Sequence, residues 1–458
     1  MVIRRFRQGE GGFSPCPGQA AQGIPLGYHK LAQTNKCHKS IDLVKGMDPY
    51  DVAVIGGGPA GLFCAIHAAS PSCRVVLFEK NEQPGKKLLL SGTGQCNITH
   101  AGEIRDFLTR YGDHGKFVKP ALMGFSNTDL IQFFSERGLM METEKSGKVF
   151  PKSRSAADVL SLLLGECRVQ GVEIRCGEPV IGVEKNADGF LITTGTGAYP
   201  ARAVVLTTGG ASYPKTGSSG DGIRLAAGLG QPVTALAPAL TPVTVRDYPF
   251  ADLAGISFED LPFTHWHDGK KTGTFRGDIL FTHTGLSGPG ILDASRYFTA
   301  GDTLRVSFAG KIPRESFDRD LTALLQAQGT RLVRTAMAGL HLPDRLLRKI
   351  LKLSGVPDDL TCAHLTAAQR KEIVTRCTEF PFVIDRLGDF SVAMATRGGI
   401  ALESVNQKTM ESKIVPGLFF AGEVLDIDGD TGGYNLQAAF STGYAAAMAL
   451  RNRSGHQS

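Results

Sequence analysis

The residues whose types and spacing could do chemistry begin with a run of glycines. Gly56, Gly58 and Gly61, separated by Gly57 and by Pro59 and Ala60, form a G-x-G-x-x-G turn. It follows Asp51-Val52-Ala53-Val54-Ile55, a β-branched apolar run fit for a strand buried on both faces, and leads into an apolar helical stretch from Leu62 to Ala69. Gly56 permits the tight turn, Gly58 lets backbone approach a pyrophosphate, and Gly61 lets helix and strand pack closely. The helix opening at Pro59 and Ala60 has free first-turn amide groups after the proline, and with its dipole it favours an anion there. A second strand, Arg74 to Phe78, ends at Glu79 and Lys80. Glu79 stands 18 residues after Gly61, where a carboxylate accepts bonds from ribose hydroxyls. The spacing predicts a dinucleotide site and leaves FAD and NAD open. The acid disfavours the 2′-phosphate of NADP.

Two further clusters narrow the choice. The stretch from Pro84 to Thr99 contains Lys87, Ser91, Gly92 and Asn97 among small residues, a loop able to run beneath a long cofactor. A flavin lying across the sheet needs such a second glycine loop; a dehydrogenase binding only NAD does not. Ala203 to Leu206 is a strand ending in Thr208-Gly209, another glycine turn beside the cofactor. Near the C-terminus a strand ends in Gly422-Glu423, and a small-residue helix starts around Gly432, Gly433, Asn435 and Leu436. That helix start, aimed at a flavin's N1 and C2 carbonyl, stabilises the negative charge that reduction places there. The expected cofactor is FAD, held noncovalently in a nucleotide fold split between residue 50 and the C-terminus. No second strand–GxGxxG–helix follows, so any NADH or NADPH visits the flavin transiently.

The remaining candidates are weaker. Cys96 has no C-x-x-C partner and reads as a small packing residue, which argues against disulfide-reductase chemistry. His265 and His267 flank Trp266, with Asp268 aimed at the opposite face of a strand, so they read as polar surface and no metal site is expected. His283 is a candidate substrate-side acid, because histidine titrates near neutral pH. Arg397, beside Gly398-Gly399, could hold a carboxylate or ketone near the flavin.

Composition bounds the setting. The 458 residues carry a net charge of +6, but residues 1–46 hold seven bases and two acids, leaving 43 bases and 42 acids for the body. A neutral body implies a small-molecule substrate and no nucleic-acid partner. The basic segment 1–46, rich in Gly, Pro and Gln, reads as a disordered tail or as translated sequence upstream of a start at Met47. Nine cysteines without a C-x-x-C pair fit a reduced, cytoplasmic protein, and no apolar run is long enough to span a membrane.

The motifs resemble the YhiN/BaiN-type flavoproteins, the aminoacetone oxidase family of FAD-binding enzymes. The resemblance covers about residues 50–450. It rests on Lys86 to Thr99, Phe281 to Pro289, Thr396 to Ile400, Thr409 to Lys413 and the block from Gly422 to Gln437. Gln95 stands where the family has Arg, and Ile400 where it has Val. The resemblance implies a backbone contact from Val180 to adenine and an α/β fold. That fold has a Rossmann-like FAD-binding domain of glutathione-reductase type, with inserted β-barrel-like and helical domains. The expected divisions are 47–211 and 381–458 for the FAD-binding domain, 212–315 for the β-rich insert and 316–380 for the helical insert. The implied activity is flavin-mediated hydride transfer to or from an unsaturated ketone or an amine, with NAD(P)H or oxygen as second substrate. The alternative is a protein in which FAD has a regulatory or structural role.

Overall fold

The computed structural model describes residues 48–340 and 342–454. The expected tail, 1–46, lies outside them. β1 (Tyr50–Ile55) is apolar on both faces and fully buried at Ala53 and Val54. β2 (Val75–Phe78) pairs parallel to it on one side and the strand Ala198–Leu206 on the other. Glu173–Arg175 extends the sheet beyond β2, and Leu418–Phe420 lies parallel to Ala198–Leu206. The antiparallel hairpin of Val180–Lys185 and Phe190–Thr194 completes seven strands. α1 (Pro59–Ala68) is buried almost all round, which explains why its sequence has no polar face.

Six strands close a barrel. Their order is Val243–Val245, Gly285–Ser287, Lys270–Phe281, Ser257–His267, Thr303–Val306 and Phe380–Leu387, which pairs back to the first. Aromatic rings fill it: Phe250 stacks on Phe281 at 4.9 Å, and Phe380 meets Phe382 at 4.8 Å. The boundary expected at residue 381 falls inside the closing strand. Phe380, Phe382 and Ile384 point inward at the period of a strand, and their pairing removes the open sheet edge that the insert would otherwise expose. The helices Arg314–Ala327, Val333–Met337, Asp344–Leu353 and Ala367–Thr378 share one apolar core with the barrel, so the two inserts form a single packed body.

His265 and His267 are not plain polar surface. His265 is 4% exposed, and its Nε2 lies 2.8 Å from Asp302 Oδ2; His267 Nδ1 lies 2.7 Å from Asp302 Oδ1. The carboxylate that organises the pair arrives from 35 residues away, so nothing local announces it. Among the described residues no group of three or more His, Cys, Asp and Glu is arranged for a metal, and no helix is long and apolar enough to cross a membrane.

The inserts are tied to the sheet domain by the antiparallel pair Val233–Ala239 and Ala395–Ile400. α2 (Pro289–Ala294) packs against the barrel strand Lys270–Phe281, and its Leu292 clusters with Ala239 and Ala395 of that pair. α3 (Tyr434–Ser454) packs over α1, where Phe440 meets Phe63 at 5.1 Å. A Cβ on Gly443 would stand 2.6 Å from the Ala60 carbonyl, so the close crossing requires glycine there.

Candidate active site

A cavity of about 1670 Å³ runs from the carboxyl ends of the parallel strands to the barrel. Open α/β sheets bind ligands at this position. Gly56, Gly58, Pro59, Ala60, Glu79, Lys80, Lys87, Ser91, Gly92, Asn97, Val180, Thr208, Gly209, Gly422, Glu423, Gly432, Gly433, Asn435 and Leu436 all line it. Of the expected cofactor residues only Gly61 does not. It stands behind the turn, where a Cβ would be 2.0 Å from the Gly56 carbonyl.

The turn is shaped by its backbone. Gly56 has φ +110°, and a Cβ on it would stand 2.6 Å from the Thr207 carbonyl. At Gly58 a Cβ would meet nothing within 4 Å, so bare backbone faces the cavity. No side chain caps α1, which leaves its first-turn amides to an anionic ligand.

Glu79, 8% exposed, is held from two sides. Gly57 N–H donates to Oε2 at 2.8 Å, while the backbone and side-chain amides of Asn81 donate to Oε1 at 2.8 and 2.7 Å. Sequence reasoning missed Asn81, although a short amide two residues after the acid is a readable signal. Carboxylate oxygens keep lone pairs beyond these bonds, so Glu79 can also accept from a ribose. Charge-assisted bonds of this kind contribute about 1.5–3 kcal/mol. Glu79→Ala should therefore weaken FAD binding roughly ten- to a hundredfold, with Glu79→Gln between Ala and wild type. Flavin fluorescence during FAD titration of apoprotein reads the affinities, and equal values for Ala and wild type would remove the ribose role. Lys80 pairs with Asp221 and donates to Ser219 at 2.7 Å.

At the other end, Lys87 Nζ lies 2.6 Å from Glu423 Oε2 and 2.5 Å from Ser212 Oγ, and Glu423 Oε1 accepts from Thr396 N at 2.8 Å. Glu423 thus locks three separate segments together at the cavity wall. Asn435 exchanges bonds of 2.8 Å with both backbone groups of Gly429, which fixes the approach to α3. The Ser91 hydroxyl donates to the Leu88 carbonyl at 2.6 Å instead of pointing freely at a ligand. Cys96 is fully buried, and burial pushes its thiol up to about 11, so it packs rather than reacts. Two wall residues carry buried polar atoms without a hydrogen-bond partner, Asn97 Oδ1 and Thr208 Oγ1. With the bare Gly58 backbone, they fit a long polar cofactor such as FAD.

A charged network, which the sequence did not reveal, adjoins this end. Arg296, 7% exposed, places Nη2 at 2.8 Å from Asp430 Oδ1 and Nε at 3.2 Å from Asp428 Oδ2; Arg110 lies 3.7 Å from Asp430. Asp293 on α2 accepts from Thr431 N at 2.6 Å. Burial, with the neighbouring Asp430 charge, raises the Asp293 carboxyl to about 7. Burial also raises Asp428 and Asp430. Of the two expected catalytic residues, His283 is exposed and Arg397 is exposed, and neither lines the cavity. The Arg397 guanidinium donates to the Arg296 carbonyl and so braces this network from behind.

The sequence profile of the HI0933-like protein Rossmann domain matches residues 50–449. The chain is 30% identical over 405 residues to the ribosomal RNA dihydrouridine synthase of Escherichia coli, covering 88% of this chain and 98% of that protein. It is 30% identical over 410 residues to the 3-dehydro-bile acid delta(4,6)-reductase of Clostridium scindens, covering 88% and 99%. A ribosomal RNA dihydrouridine synthase of Haemophilus influenzae is 30% identical over 403 residues, covering 87% and 97%. Since the profile spans both halves of the split domain and the identity extends over nearly whole relatives, the chain belongs to the HI0933-like family, the YhiN/BaiN type, and is an FAD-dependent oxidoreductase.

Proposed function

We propose that this enzyme reduces a ring carbon–carbon double bond conjugated to a carbonyl, with NADH or NADPH as the source of electrons. The carrying observation is the cavity. At about 1670 Å³ it exceeds the roughly 300–1,000 Å³ of a pocket for one drug-sized ligand, so it has room for the dinucleotide and a second molecule. Beyond Gly432 and Gly433 its wall passes to Leu280, Pro289, Leu292 and Met394, an apolar surface suited to a flat ring. Bound FAD supplies the two-electron store. The chain's own contribution is to hold that store between the Gly58 turn and the start of α3, to brace the wall through Lys87 and Glu423, and to enclose the acceptor against the barrel.

The relatives support the reductive direction. The bile-acid enzyme is named a delta(4,6)-reductase, and the two dihydrouridine synthases are named for a base carrying two added hydrogens. Those synthases act by name on ribosomal RNA, whereas the near-neutral body of this chain, 43 bases against 42 acids, favours a small-molecule acceptor. The test supplies NADH or NADPH to purified holoprotein with cyclic enones including steroid-type ketones, uridine-containing RNA, or amines, and weighs the products. An enone gaining two hydrogens, with amines untouched, is the expected result. Amine oxidation with oxygen uptake would overturn the direction; reduction of the RNA alone would replace the small-molecule acceptor.

A further inference from the structure

We propose that the Tyr213 hydroxyl donates a hydrogen bond to the carbonyl oxygen of the acceptor and so stabilises the charge that reduction places there. The proposal rests on the ene-reduction reading above. In that chemistry the far carbon of the conjugated double bond receives hydride from the reduced cofactor, and the π electrons shift onto the carbonyl oxygen. A hydrogen bond to that oxygen strengthens as its negative charge grows, which lowers the barrier. The resulting enolate takes a proton from water at the carbon next to the carbonyl, so the product gains two hydrogens. The nicotinamide then restores the hydride.

Tyr213 lines the cavity, and three segments laid side by side put it at the acceptor end. Ala211 N and Ser212 N both donate to Thr396 Oγ1, at 2.8 and 3.0 Å, and Tyr213 N donates to the Phe390 carbonyl at 2.8 Å. The same 390–396 stretch carries the wall residues Met394 and Ala395, and Met394 N donates to the Leu240 carbonyl at 3.2 Å. Leu240, Leu292 and Ala395, all on the wall, pack with Ala239 into one apolar cluster. Tyr213 thus shares a corner with an apolar floor suited to a ring. On its other side Ser212 Oγ donates to Glu423 Oε1 at 2.9 Å, so the same segment borders the brace beside the cofactor.

The backbone of Tyr213 is held in an uncommon conformation, φ +53° and ψ +59°, which bulky residues rarely adopt. Besides the bond to Phe390, its carbonyl accepts from Thr216 N at 2.8 Å and Thr216 Oγ1 at 2.7 Å. Leu240, in the same corner, is also left-handed, with φ +52°. Strain of this kind persists where the surroundings enforce it, and it gathers at binding sites. The Tyr213 side chain is half-buried, and among the described residues its hydroxyl has no hydrogen-bond partner. The charged wall groups nearby are already engaged, Lys87 with Glu423 and Asp430 with Arg296. The phenol O–H is therefore free to donate to a ligand oxygen.

Tyr213→Phe tests the assignment, since it keeps the ring and removes only the hydroxyl. FAD content and chemical reduction of the bound flavin should match wild type. Anaerobic reoxidation of the reduced holoprotein by a cyclic enone should slow about a hundredfold, the usual loss when one donor to a developing oxyanion is removed. A second readout needs no turnover. Titration of the oxidised holoprotein with cyclohexanone, followed by the shift in flavin absorbance, should show about two- to tenfold weaker binding in Tyr213→Phe. Cyclohexane, which lacks the carbonyl, should bind both proteins equally. Wild-type reoxidation in Tyr213→Phe would overturn the role of the hydroxyl alone. Equal losses of affinity for cyclohexanone and cyclohexane would overturn it too, because the loss would then be one of packing. Failure of wild type to reduce any enone would overturn the reaction reading and the proposal with it.

Discussion

Arg296→Met is expected to destabilise the protein by about 3–5 kcal/mol, the usual consequence of removing one partner from a buried ion pair. Arg296 is 7% exposed and lies 2.8 Å from Asp430 and 3.2 Å from Asp428, which is itself 2% exposed. Methionine fills much of the space but leaves the buried Asp428 without its ion-pair partner and Asp430 with the more distant Arg110 at 3.7 Å. The contact also joins the barrel to the approach of α3, so the loss should loosen the end of the cavity beside α3. The pH dependence has a definite sign. Without the guanidinium, the folded-state titrations of Asp428 and Asp430 rise further above their unfolded values. Stability is then lost as pH rises through them, and the deficit should be smallest at acid pH. Urea denaturation at several pH values measures this. Adding Asp428→Asn should restore part of the loss by removing one orphaned charge. A deficit under about 0.5 kcal/mol at neutral pH, the range of ordinary surface substitutions, would show that the network is not a buried support.

Gly61→Ala and Gly58→Ala should behave oppositely although they lie in one turn. A Cβ at Gly61 would stand 2.0 Å from the Gly56 carbonyl and 2.6 Å from Thr207 Oγ1, so α1 must move away from β1. Overpacking of this kind costs about 1–3 kcal/mol or more, and the moved turn should lose at least tenfold in FAD affinity. At Gly58 the backbone is extended, with φ −80° and ψ −178°, and a Cβ would meet nothing within 4 Å. Gly58→Ala should keep the stability of the apoprotein and lose only FAD affinity, because its methyl enters the space meant for ligand. Thermal melts of the apoproteins and FAD titrations separate the two. Equal apoprotein melting for Gly61→Ala and wild type would mean that the helix–strand approach is looser than it stands.

The cofactor half of the site was legible because its determinants are local. A glycine turn, the strand before it and an acid at the end of the next strand lie within 30 residues of sequence, and each has its own backbone requirement. The charged network beside it was not legible. Asp293 meets Thr431 across 138 residues, and Arg296 meets Asp430 across 134. Neither pairing leaves a periodic or spaced trace, and single acids in a chain with 44 of them stand out from nothing. His283 drew notice because histidine titrates near neutral pH and Arg397 because it stands beside two glycines, yet both side chains are exposed. Gly398 and Gly399 serve close backbone packing instead, since Cβ atoms there would stand 2.1 Å from the Ala235 carbonyl and 2.6 Å from the Val424 carbonyl. The barrel shows the same division. The alternation at Phe380, Phe382 and Ile384 identifies a strand, but only pairing with Val243–Val245 reveals that it closes the barrel.

The most direct test of the account is anaerobic reoxidation of the holoprotein after chemical reduction of its flavin. Mixing with a cyclic conjugated enone should restore the oxidised flavin absorbance and yield a ketone richer by two hydrogens, while the corresponding saturated ketone leaves the flavin reduced. A reduced flavin indifferent to every conjugated acceptor, together with bleaching of the oxidised protein by an amine, would contradict it.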